Sequence, residues 1–569
     1  MKKALLIATS LVWTTLSFAY DFEKDGVFYN ITSISDLTVE VTKGDNSANN
    51  YSGDVVIPEE VEYGGRKLKV IAVGKNAFYQ SYQLSSVHLP NSITSIGEYA
   101  FYYCKNVTTI NMPSSLKSIG DWAFGFCNQF EGIDLPENVD SIGIYAFCQC
   151  KKITHINIPR KMKTLAQCLF SNSGIVEVDI PDNITYISSQ AFDGCSSLTR
   201  VNIPSSVTYI GYMCFNGCEK LELVNLPAGI TEIGLGTFKG CKSLKEIIIP
   251  ESAVSIGQSA FEGCELIESI VFPNNVNRID NYVCRNCKAL KSVQLSNQLT
   301  TISIEAFKNC SLIEKIVLPS SVTFLGGDAF SGCTSIKELV LEDGDEKCFF
   351  GYLNYSGWSV GQAAFAECPL EKVYLGKNIS YNDEKGYGYS FLYNHDTIQE
   401  LTLGENFDSF GNYFFADCDF LTDYTIPVQI HNVGNFAFMD CKNLESVTIS
   451  EGVNKLGDKA FNGCEKLVSV SAVQAIPFEI TDETFDKTTY FIATLYVPSG
   501  TSEQYKQATG WKNFFSIQEK DFPNSINSVN ISSCNETIYG INGTRLSSPI
   551  KGMNIIRKSD GTTKKVIIK

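Results

Sequence analysis

Histidine is scarce in this chain. Among 569 residues there are four histidines, His88, His155, His395 and His431, and none begins an "HExxH" pair. Because histidine is the most frequent general base and a common metal ligand, this scarcity argues against both a catalytic centre and a metal centre. The pattern also places His88 and His155 at outward strand positions in different segments. We therefore expect no enzyme activity, cofactor or metal site.

Basic residues are also outnumbered. The chain has 46 Lys and Arg against 62 Asp and Glu, a net charge of -16, which disfavours nucleic acid and anionic membrane surfaces as partners. Long apolar runs are missing beyond the first residues, so no transmembrane helix is expected. The opening "MKKALLIATSLVWTTLSFA" is typical of a secretory signal over residues 1–19. The mature chain should therefore be secreted or lie at the outer cell surface.

A phenylalanine recurs along most of the chain, usually at intervals of 23 residues. The series runs through Phe78, Phe101, Phe124, Phe147, Phe170, Phe192, Phe215, Phe238 and Phe261, has Cys284 in the next slot, and continues through Phe307, Phe330, Phe365, Phe391, Phe415, Phe438, Phe461 and Phe485. A fixed period of this length predicts a solenoid, here of about eighteen coils.

Each period reads as one coil, as in "CSSLTRVNIPSSVTYIGYMCF", residues 195–215. Val201 and Ile203 alternate with polar residues and predict a short strand, which Pro204 ends. Gly211 suits a tight turn, since it has no Cβ. We expect the strands to form one long parallel sheet on the concave face, with turns and short helical segments on the other.

The flanks predict separate end modules. The expected order is an N-terminal β cap with an irregular first coil over 20–75, repeats over 76–471, a C-terminal cap over 472–522 with a short helix from about Ser502, and a small β module over 523–569. Caps are needed because no coil covers its own apolar edge.

The repeat pattern "IGxxAFxxCxxLxxIxIPxSV" over residues 76–471 resembles the BspA-like leucine-rich repeat proteins of host-associated bacteria. This resemblance implies a surface protein that adheres to host extracellular matrix or to other bacteria. The repeated residues themselves build the scaffold, so they indicate fold more specifically than function.

A column of cysteines accompanies the repeat, three residues after the phenylalanine slot. Its members are Cys104, Cys127, Cys150, Cys195, Cys218, Cys241, Cys264, Cys287, Cys310, Cys333, Cys368, Cys418, Cys441 and Cys464. Core packing is the favoured interpretation, while disulfides between coils and a metal site are the alternatives. In "AFEGCELIESIVFP" we expect Cys264 to pack beside Leu266. Cys348 and Cys534 lie outside the register and are the candidates for exposure.

Outward strand positions supply the candidate binding surface. We expect a first row of Glu246, Ser269, Lys315, Glu338 and Lys372 beside a second, largely apolar row of Ile248, Val271, Val317, Val340 and Tyr374. An exposed apolar row with a charged margin is typical of a protein-binding site. The plainer alternative is that β-branched residues simply favour strands.

The largest interruption of the repeat is an insertion at residues 342–362 that contains Tyr352, Tyr355 and Trp358. Aromatic loops on a rigid scaffold suit anchoring of a protein partner or stacking against a sugar. Covering a local defect is the other interpretation. The insertion therefore supports two functions, an adhesin for host or bacterial surface proteins, or a glycan-binding or structural protein of the cell envelope.

The last residues change in composition. From Gly540 onward they carry seven Lys or Arg and one Asp, with strand-like runs between turns. The elements "IYGINGTRL", "IKGMNII" and "KKVIIK" resemble those of C-terminal sorting domains of type IX secretion. That resemblance implies the secretion machinery as a partner and passage across the outer membrane.

Overall fold

The computed structural model describes residues 19–46, 48, 50–351, 363–381, 390–392 and 395–522, together with four strands after residue 536. Of the predicted signal segment 1–19, only the last residue falls within these ranges, and Cys534 falls outside them. The aromatic residues of the insertion, Tyr352, Tyr355 and Trp358, also lie outside the described residues.

The repeats form a solenoid of about 19 turns. Neighbouring coils pair in parallel with the offset that the sequence period predicts, as in Ser118 with Ser141. The predicted solenoid is therefore confirmed. Most coils contain two short extended segments rather than one, however, and these pair into two rows of short parallel sheets along the stack, which we call the first and second ladders.

The first ladder starts in the N-terminal cap with Ser52–Val56. It continues through Gln83–His88, Thr109–Ile110, Glu177–Asp179, Arg200–Asn202, Leu223–Val224, Ser269–Val271, Ser292–Gln294, Lys315–Leu318, Glu338–Leu341, Lys372–Lys377, Glu400–Asn406, Asp423–Thr425, Ser446–Ile449 and Ser469–Ala472. We call its outward side the strand face.

The second ladder consists mostly of two-residue strands. They are Ser95–Ile96, Ser118–Ile119, Ser141–Ile142, Thr164–Leu165, Tyr186–Ile187, Tyr209–Ile210, Glu232–Ile233, Ser255–Ile256, Arg278–Ile279, Thr301–Ile302, Phe324–Leu325, Cys348–Phe350, Ile379–Tyr381, Ser409–Phe410, Asn432–Val433 and Lys455–Leu456. A turn, which begins at a proline in most coils, separates this ladder from the first.

The third side of each coil is a turn, and the described repeats contain no helical segment there, which corrects that part of the expectation. Two residues of a typical coil adopt positive φ, such as Ser259 at 58° and Gly263 at 72°, a conformation that no right-handed helix accepts. The turns still bond from coil to coil, because the Phe238 N–H donates to the Ala260 carbonyl at 2.9 Å. We call this side the turn face.

Stacked phenylalanines fill the interior. The rings of Phe238 and Phe261 lie 5.9 Å apart and within 1° of parallel, and those of Phe307 and Phe330 lie 5.1 Å apart. Cys284, fully buried, interrupts the stack between these pairs. Each ring covers the next, so no coil is stable without its neighbours.

Gly211 is required for a reason other than the predicted tight turn. A Cβ built on it would lie 2.3 Å from the backbone nitrogen of Ser189 in the preceding coil. The glycine thus permits close approach of two backbones rather than an unusual φ.

Both ends of the stack are covered. Strands Phe22–Lys24, Val27–Ser33, Thr38–Thr42, Glu60–Tyr63 and Arg66–Val73 form the N-terminal cap. The C-terminal cap contains helices Lys487–Ile492 and Ser502–Tyr505, strands Thr494–Pro498 and Ser516–Lys520, and a 3₁₀ turn at Trp511–Asn513. The helix at Ser502 is as predicted, and the helix at Lys487 was not foreseen.

Trp511 seals the C-terminal edge. Its ring is fully buried, and its indole N–H donates to the Phe478 carbonyl at 2.6 Å. Tyr505 is equally buried and donates its hydroxyl to the Gln474 carbonyl at 2.8 Å. Both large rings therefore close the core without leaving a buried polar group unpaired.

The tail contains four antiparallel strands, Thr537–Gly540, Arg545–Leu546, Gly552–Arg557 and Thr563–Ile568. The first of them lies between the second and the third, and the last pairs with the third. The strand-like runs of the sequence thus fold into one sheet.

Candidate binding surface

The cysteine column belongs to the scaffold. All 19 cysteines within the described residues are free and buried. The thiol of Cys264 donates to the carbonyl of Phe238, one coil earlier, at 3.1 Å, and Cys104 does the same to Phe78 at 3.0 Å. Packing is therefore the correct interpretation of the column, with a thiol hydrogen bond between coils added to it.

Two neighbouring expectations were wrong. Cys348 is fully buried rather than exposed, and burial raises the pKa of its thiol to about 12. Cys348 lies in a strand of the second ladder. The insertion interrupts the repeat period there, so the sequence did not identify this strand. Leu266 is exposed, while Ile267 is buried beside Cys264, because the inward position falls three residues after the cysteine and not two.

The predicted rows do lie on the strand face. Ile248 is 73% exposed, Val271 48% and Val317 38%, whereas Val340 and Tyr374 are half-buried. Strand register aligns Val317 with Val340, and Val340 with Tyr374. Three consecutive coils therefore present one continuous apolar stripe, which we call the valine stripe.

The stripe is shorter than the sequence series indicates. Gln294 pairs with Val271 and lies between it and the coil of Val317, so a polar side chain divides the row. Ile248 lies in a coil whose outer segment is not part of a regular strand. The structure thus brings together Val317, Val340 and Tyr374, and leaves Ile248 and Val271 as a separate exposed pair.

The first row carries compensating charges. Lys315, Glu338 and Lys372 are in register on consecutive strands, and the Lys315 ammonium lies 2.6 Å from the Glu338 carboxylate. Glu246 and Ser269 continue the row in earlier coils and are exposed. Because Lys315 and Glu338 neutralise one another, the margin of the valine stripe is polar with little net charge.

Tyr374 ends the stripe in a fixed orientation. Its hydroxyl donates to the Asp343 carboxylate, whose two oxygens lie 2.8 and 3.0 Å away. Burial, followed by the hydrogen bond to Asp343 and the charge of that carboxylate, raises the pKa of Tyr374 to about 12. Gly376 allows this approach, since a Cβ there would lie 2.4 Å from the backbone nitrogen of Asp343. The ring is therefore preorganised for contact.

A buried lysine stabilises the irregular coil beneath the valine stripe. The Lys377 ammonium donates to the carbonyls of Ser320 and Val322, each at 2.6 Å, and burial lowers its pKa. In regular coils short polar side chains bond the corresponding carbonyls, as Ser115 does to Ile93. The lysine replaces such a bond where the insertion disturbs the stack.

Sequence reasoning missed two features of the strand face. Leu223 is 49% exposed in the first row, a position that the search for apolar second-row residues did not follow. An open depression of about 600 Å³ surrounds Gly132, with His88 and His155 on its lining. Both histidines are exposed, as predicted. The depression could have been predicted from Gly132, because a glycine at an outward strand position has no side chain to fill the surface there.

The described part of the chain contains no group of three or more His, Cys, Asp or Glu side chains able to hold a metal ion. Burial lowers the pKa of His395, which lies 2.9 Å from the Cys368 carbonyl through Nδ1. That histidine is a packed core residue. None of the described helices is long and apolar enough to cross a membrane.

The chain is similar to solved structures of bacterial repeat proteins. A leucine-rich repeat protein from Bacteroides ovatus is 24% identical, with 80% of this chain and 95% of that chain covered and a TM-score of 0.37. A leucine-rich cell surface protein from Faecalibacterium prausnitzii is 19% identical, with 86% and 97% covered and a TM-score of 0.29.

The pneumococcal vaccine antigen PcpA is 14% identical, with 88% of this chain and 98% of that chain covered and a TM-score of 0.32. A search of curated proteins found no significant match. With TM-scores this low, the fold follows from the strand register itself and not from these likenesses.

The model of the BspA type leucine-rich repeat region matches six overlapping copies, at residues 70–199, 165–290, 214–337, 255–390, 354–468 and 387–509. Together they span residues 70–509, more than half of the chain. Such solenoids are typically non-enzymatic scaffolds that bind other proteins, and those of this type are typically secreted or at the cell surface. The chain belongs to the BspA-type leucine-rich repeat family.

Proposed function

We propose that this protein is a non-enzymatic adhesin that captures an extracellular-matrix or other cell-surface protein through its strand face. The observation that carries the proposal is the valine stripe, in which Val317, Val340 and Tyr374 align on consecutive strands. A row of partly exposed apolar side chains contributes favourable binding free energy when a protein partner covers it and removes it from water.

The charge pattern supports the same use of the surface. A central apolar stripe with a polar margin is the usual anatomy of a protein interface. The margin contains the Lys315 and Glu338 pair at 2.6 Å, which can be rearranged by a partner at little cost because both groups are solvated. The strand ladder beneath holds the stripe rigid, so binding orders few additional groups.

The test uses the full mature chain on an array of extracellular-matrix proteins. Val317→Lys combined with Val340→Lys places two charges in the valine stripe, and we expect capture to fall about thirtyfold or more, corresponding to about 2 kcal/mol. Asn202→Lys is the matched control, since Asn202 occupies the second row in the polar part of the ladder. Its capture should equal that of the wild type.

Absence of capture from every matrix protein would contradict the proposed function. Undiminished capture by the double variant, with unchanged circular dichroism, would instead place the site elsewhere. The predicted contribution of Tyr352, Tyr355 and Trp358 is tested in the same assay by replacing all three with alanine, which should weaken capture without unfolding the chain.

We also propose that residues 523–569 direct export across the outer membrane. The basic composition and the resemblance to type IX sorting domains support this role. Deleting these residues should leave the protein inaccessible to protease added to intact cells. Surface exposure that survives the deletion would contradict the proposal.

A further inference from the structure

Aromatic side chains concentrate at one end of the turn face, far along the chain from the insertion. We call this group the aromatic cluster and define it as Tyr79, Tyr99, Tyr102, Tyr103, Trp122, Phe126 and Tyr145. All seven side chains are half-buried, so they belong neither to the core nor to the freely solvated surface. None of them contributes to the strand face.

The rings pack in two nearly perpendicular sets. Trp122 stacks on Tyr145 at 4.0 Å and 9°, and Tyr103 on Phe126 at 4.4 Å and 19°, so these rings follow the stacking direction of the coils. Tyr102 crosses them, at 85° to Trp122. The contacts fix every ring of this group against at least one other, which makes a rigid aromatic surface.

Tyr102 has room because the next coil carries Gly125 at the corresponding position. A Cβ on Gly125 would lie 2.9 Å from the Trp122 ring and 3.1 Å from the Tyr102 ring. Tyr79 continues the row on the other side, 5.5 Å from Tyr102 and 16° from parallel. The glycine thus lets the Trp122 and Tyr102 rings pack directly over its backbone.

Two residues of the cluster have a strained backbone conformation, at a slot where the other coils carry glycine or a polar residue. Tyr103 and Phe126 both have φ of 62°, which is unfavourable for a bulky side chain. In the other described coils where this slot has positive φ, it holds glycine or a polar residue. These are Gln80, Gln149, Asn172, Gly194, Gly217, Gly240, Gly263, Asn286, Asn309, Gly332, Glu367, Asp417, Asp440 and Gly463. Stability alone does not explain two aromatic residues there.

A second slot adds to the same picture. Tyr99, Trp122 and Tyr145 have φ of 55°, 56° and 57° in three consecutive coils. Tyr282, Tyr413 and Phe436 occupy this slot in other coils, at 62°, 57° and 58°, and Phe436 stacks on Tyr413 at 4.8 Å. What distinguishes the cluster is that aromatic residues fill several slots of adjacent coils at once.

An open cleft of about 440 Å³ begins at the end of the cluster. Its lining consists of phenol, ammonium and amide groups with no aliphatic side chain, from Lys43, Lys75, Asn76, Tyr79, Tyr99 and Tyr102. The Lys75 ammonium also lies 2.6 Å from the Glu98 carboxylate. Hydrogen-bond donors and acceptors therefore surround flat apolar rings within one small recess.

We propose that the aromatic cluster and this cleft form a glycan-binding site on the turn face. A sugar ring presents C–H groups on its flat side, which pack against the negative face of an aromatic ring, and hydroxyl groups at its rim. The tyrosine rings supply the first contact, while the ammonium and amide groups at the cleft bond the hydroxyls. The rigid rings are already in position, so little ordering accompanies binding.

The lining favours a glycan over a peptide. Pockets that bury apolar side chains are lined predominantly by hydrophobic groups, whereas this cleft combines ring faces with phenol, ammonium and amide groups that suit the hydroxyls of a sugar. Because the Lys75 ammonium is already paired with the Glu98 carboxylate, the cleft sets no preference between neutral and carboxylate-bearing sugars.

The experiment applies the full mature chain to an array of neutral and carboxylate-bearing oligosaccharides, followed by calorimetric titration of each captured sugar. Trp122→Gly removes a ring where glycine adopts the native φ without strain, so the fold should survive. We expect affinity to fall about tenfold or more in this variant and in Tyr102→Ala. Phe436→Gly, at the same backbone slot outside the cluster, is the control and should bind as the wild type does.

Capture of no oligosaccharide would overturn the proposal, and so would a captured sugar whose affinity Trp122→Gly and Tyr102→Ala leave unchanged. Circular dichroism of each variant verifies the fold. The result is independent of the strand face, because Val317→Lys with Val340→Lys should retain full glycan affinity. Loss of glycan affinity in that variant would also contradict the site.

Discussion

Alkaline pH should destabilise the solenoid through its buried thiols, and the substitution Cys104→Ser isolates one of them. Cys104 is fully buried, and burial raises the pKa of its thiol from 9.0 to about 12. In the unfolded chain the thiol ionises near 9.0, so above that pH the unfolded state releases a proton that the folded state keeps. The stabilisation is complete below pH 9 and is lost as the pH rises towards 12.

The size of the effect follows from these two pKa values. At pH 10 one thiol of this kind lowers the free energy of unfolding by about 1.4 kcal/mol relative to its value at low pH. At pH 8 the serine variant should be less stable than the wild type by about 1 kcal/mol, because less volume is buried while a hydroxyl still donates to the Phe78 carbonyl. At pH 10 that deficit should vanish or reverse.

Urea unfolding followed by circular dichroism at pH 8 and pH 10 measures the difference. Tyrosine ionisation affects both proteins equally and cancels. Ser173→Cys is the reciprocal variant, since Ser173 takes the cysteine slot in its own coil, and it should steepen the loss of stability with pH. An identical pH dependence in wild type and Cys104→Ser would refute the claim that the thiol is reduced and buried, as would a wild-type stability that depends on added reductant.

Three further substitutions test the scaffold. Lys377→Met should lower the free energy of unfolding by about 2 kcal/mol in urea titrations, because two buried carbonyls lose their donor. The deficit should grow as the pH rises from the lowered pKa of Lys377 towards 10.5, since the wild type gains stability there. Gly211→Ala should cost about 2 kcal/mol or more, whereas Gly229→Ala, where a Cβ meets nothing within 4 Å, should be neutral. Trp511→Ala should cost about 3 kcal/mol or more and lower the thermal midpoint by opening the cap.

The repeat made the scaffold predictable from sequence. A residue that recurs every 23 positions has nearly the same neighbours in each coil, so Phe261 and Cys264 could be assigned to the core without a structure. The same reasoning misplaced Leu266 by one position and treated Cys348 as outside the register. The first error arose because Leu266 lies next to the inward slot, which Ile267 occupies, and the second arose at the insertion, where the coil departs from the pattern.

Surface features were less predictable, because they depend on which side chains different coils bring together. Val317 and Val340 could be aligned from the period alone, and the structure keeps them adjacent. Tyr102, Trp122 and Phe126 occupy different slots of two coils, and no single column of the sequence contains them all. Only the backbone geometry of the turn face shows that they meet. The positive φ of Phe126, and the backbone strain that accompanies it, likewise cannot be recognised from the sequence.

The most direct test of the central claim is hydrogen–deuterium exchange of the mature protein with and without a captured matrix protein. The proposed adhesin function predicts slower exchange in peptides that contain residues 315–318, 338–341 and 372–377, with exchange in the polar coils around residues 200–202 unchanged. Protection confined to other coils, with these three segments unaffected, would contradict the assignment of the strand face as the protein-binding surface.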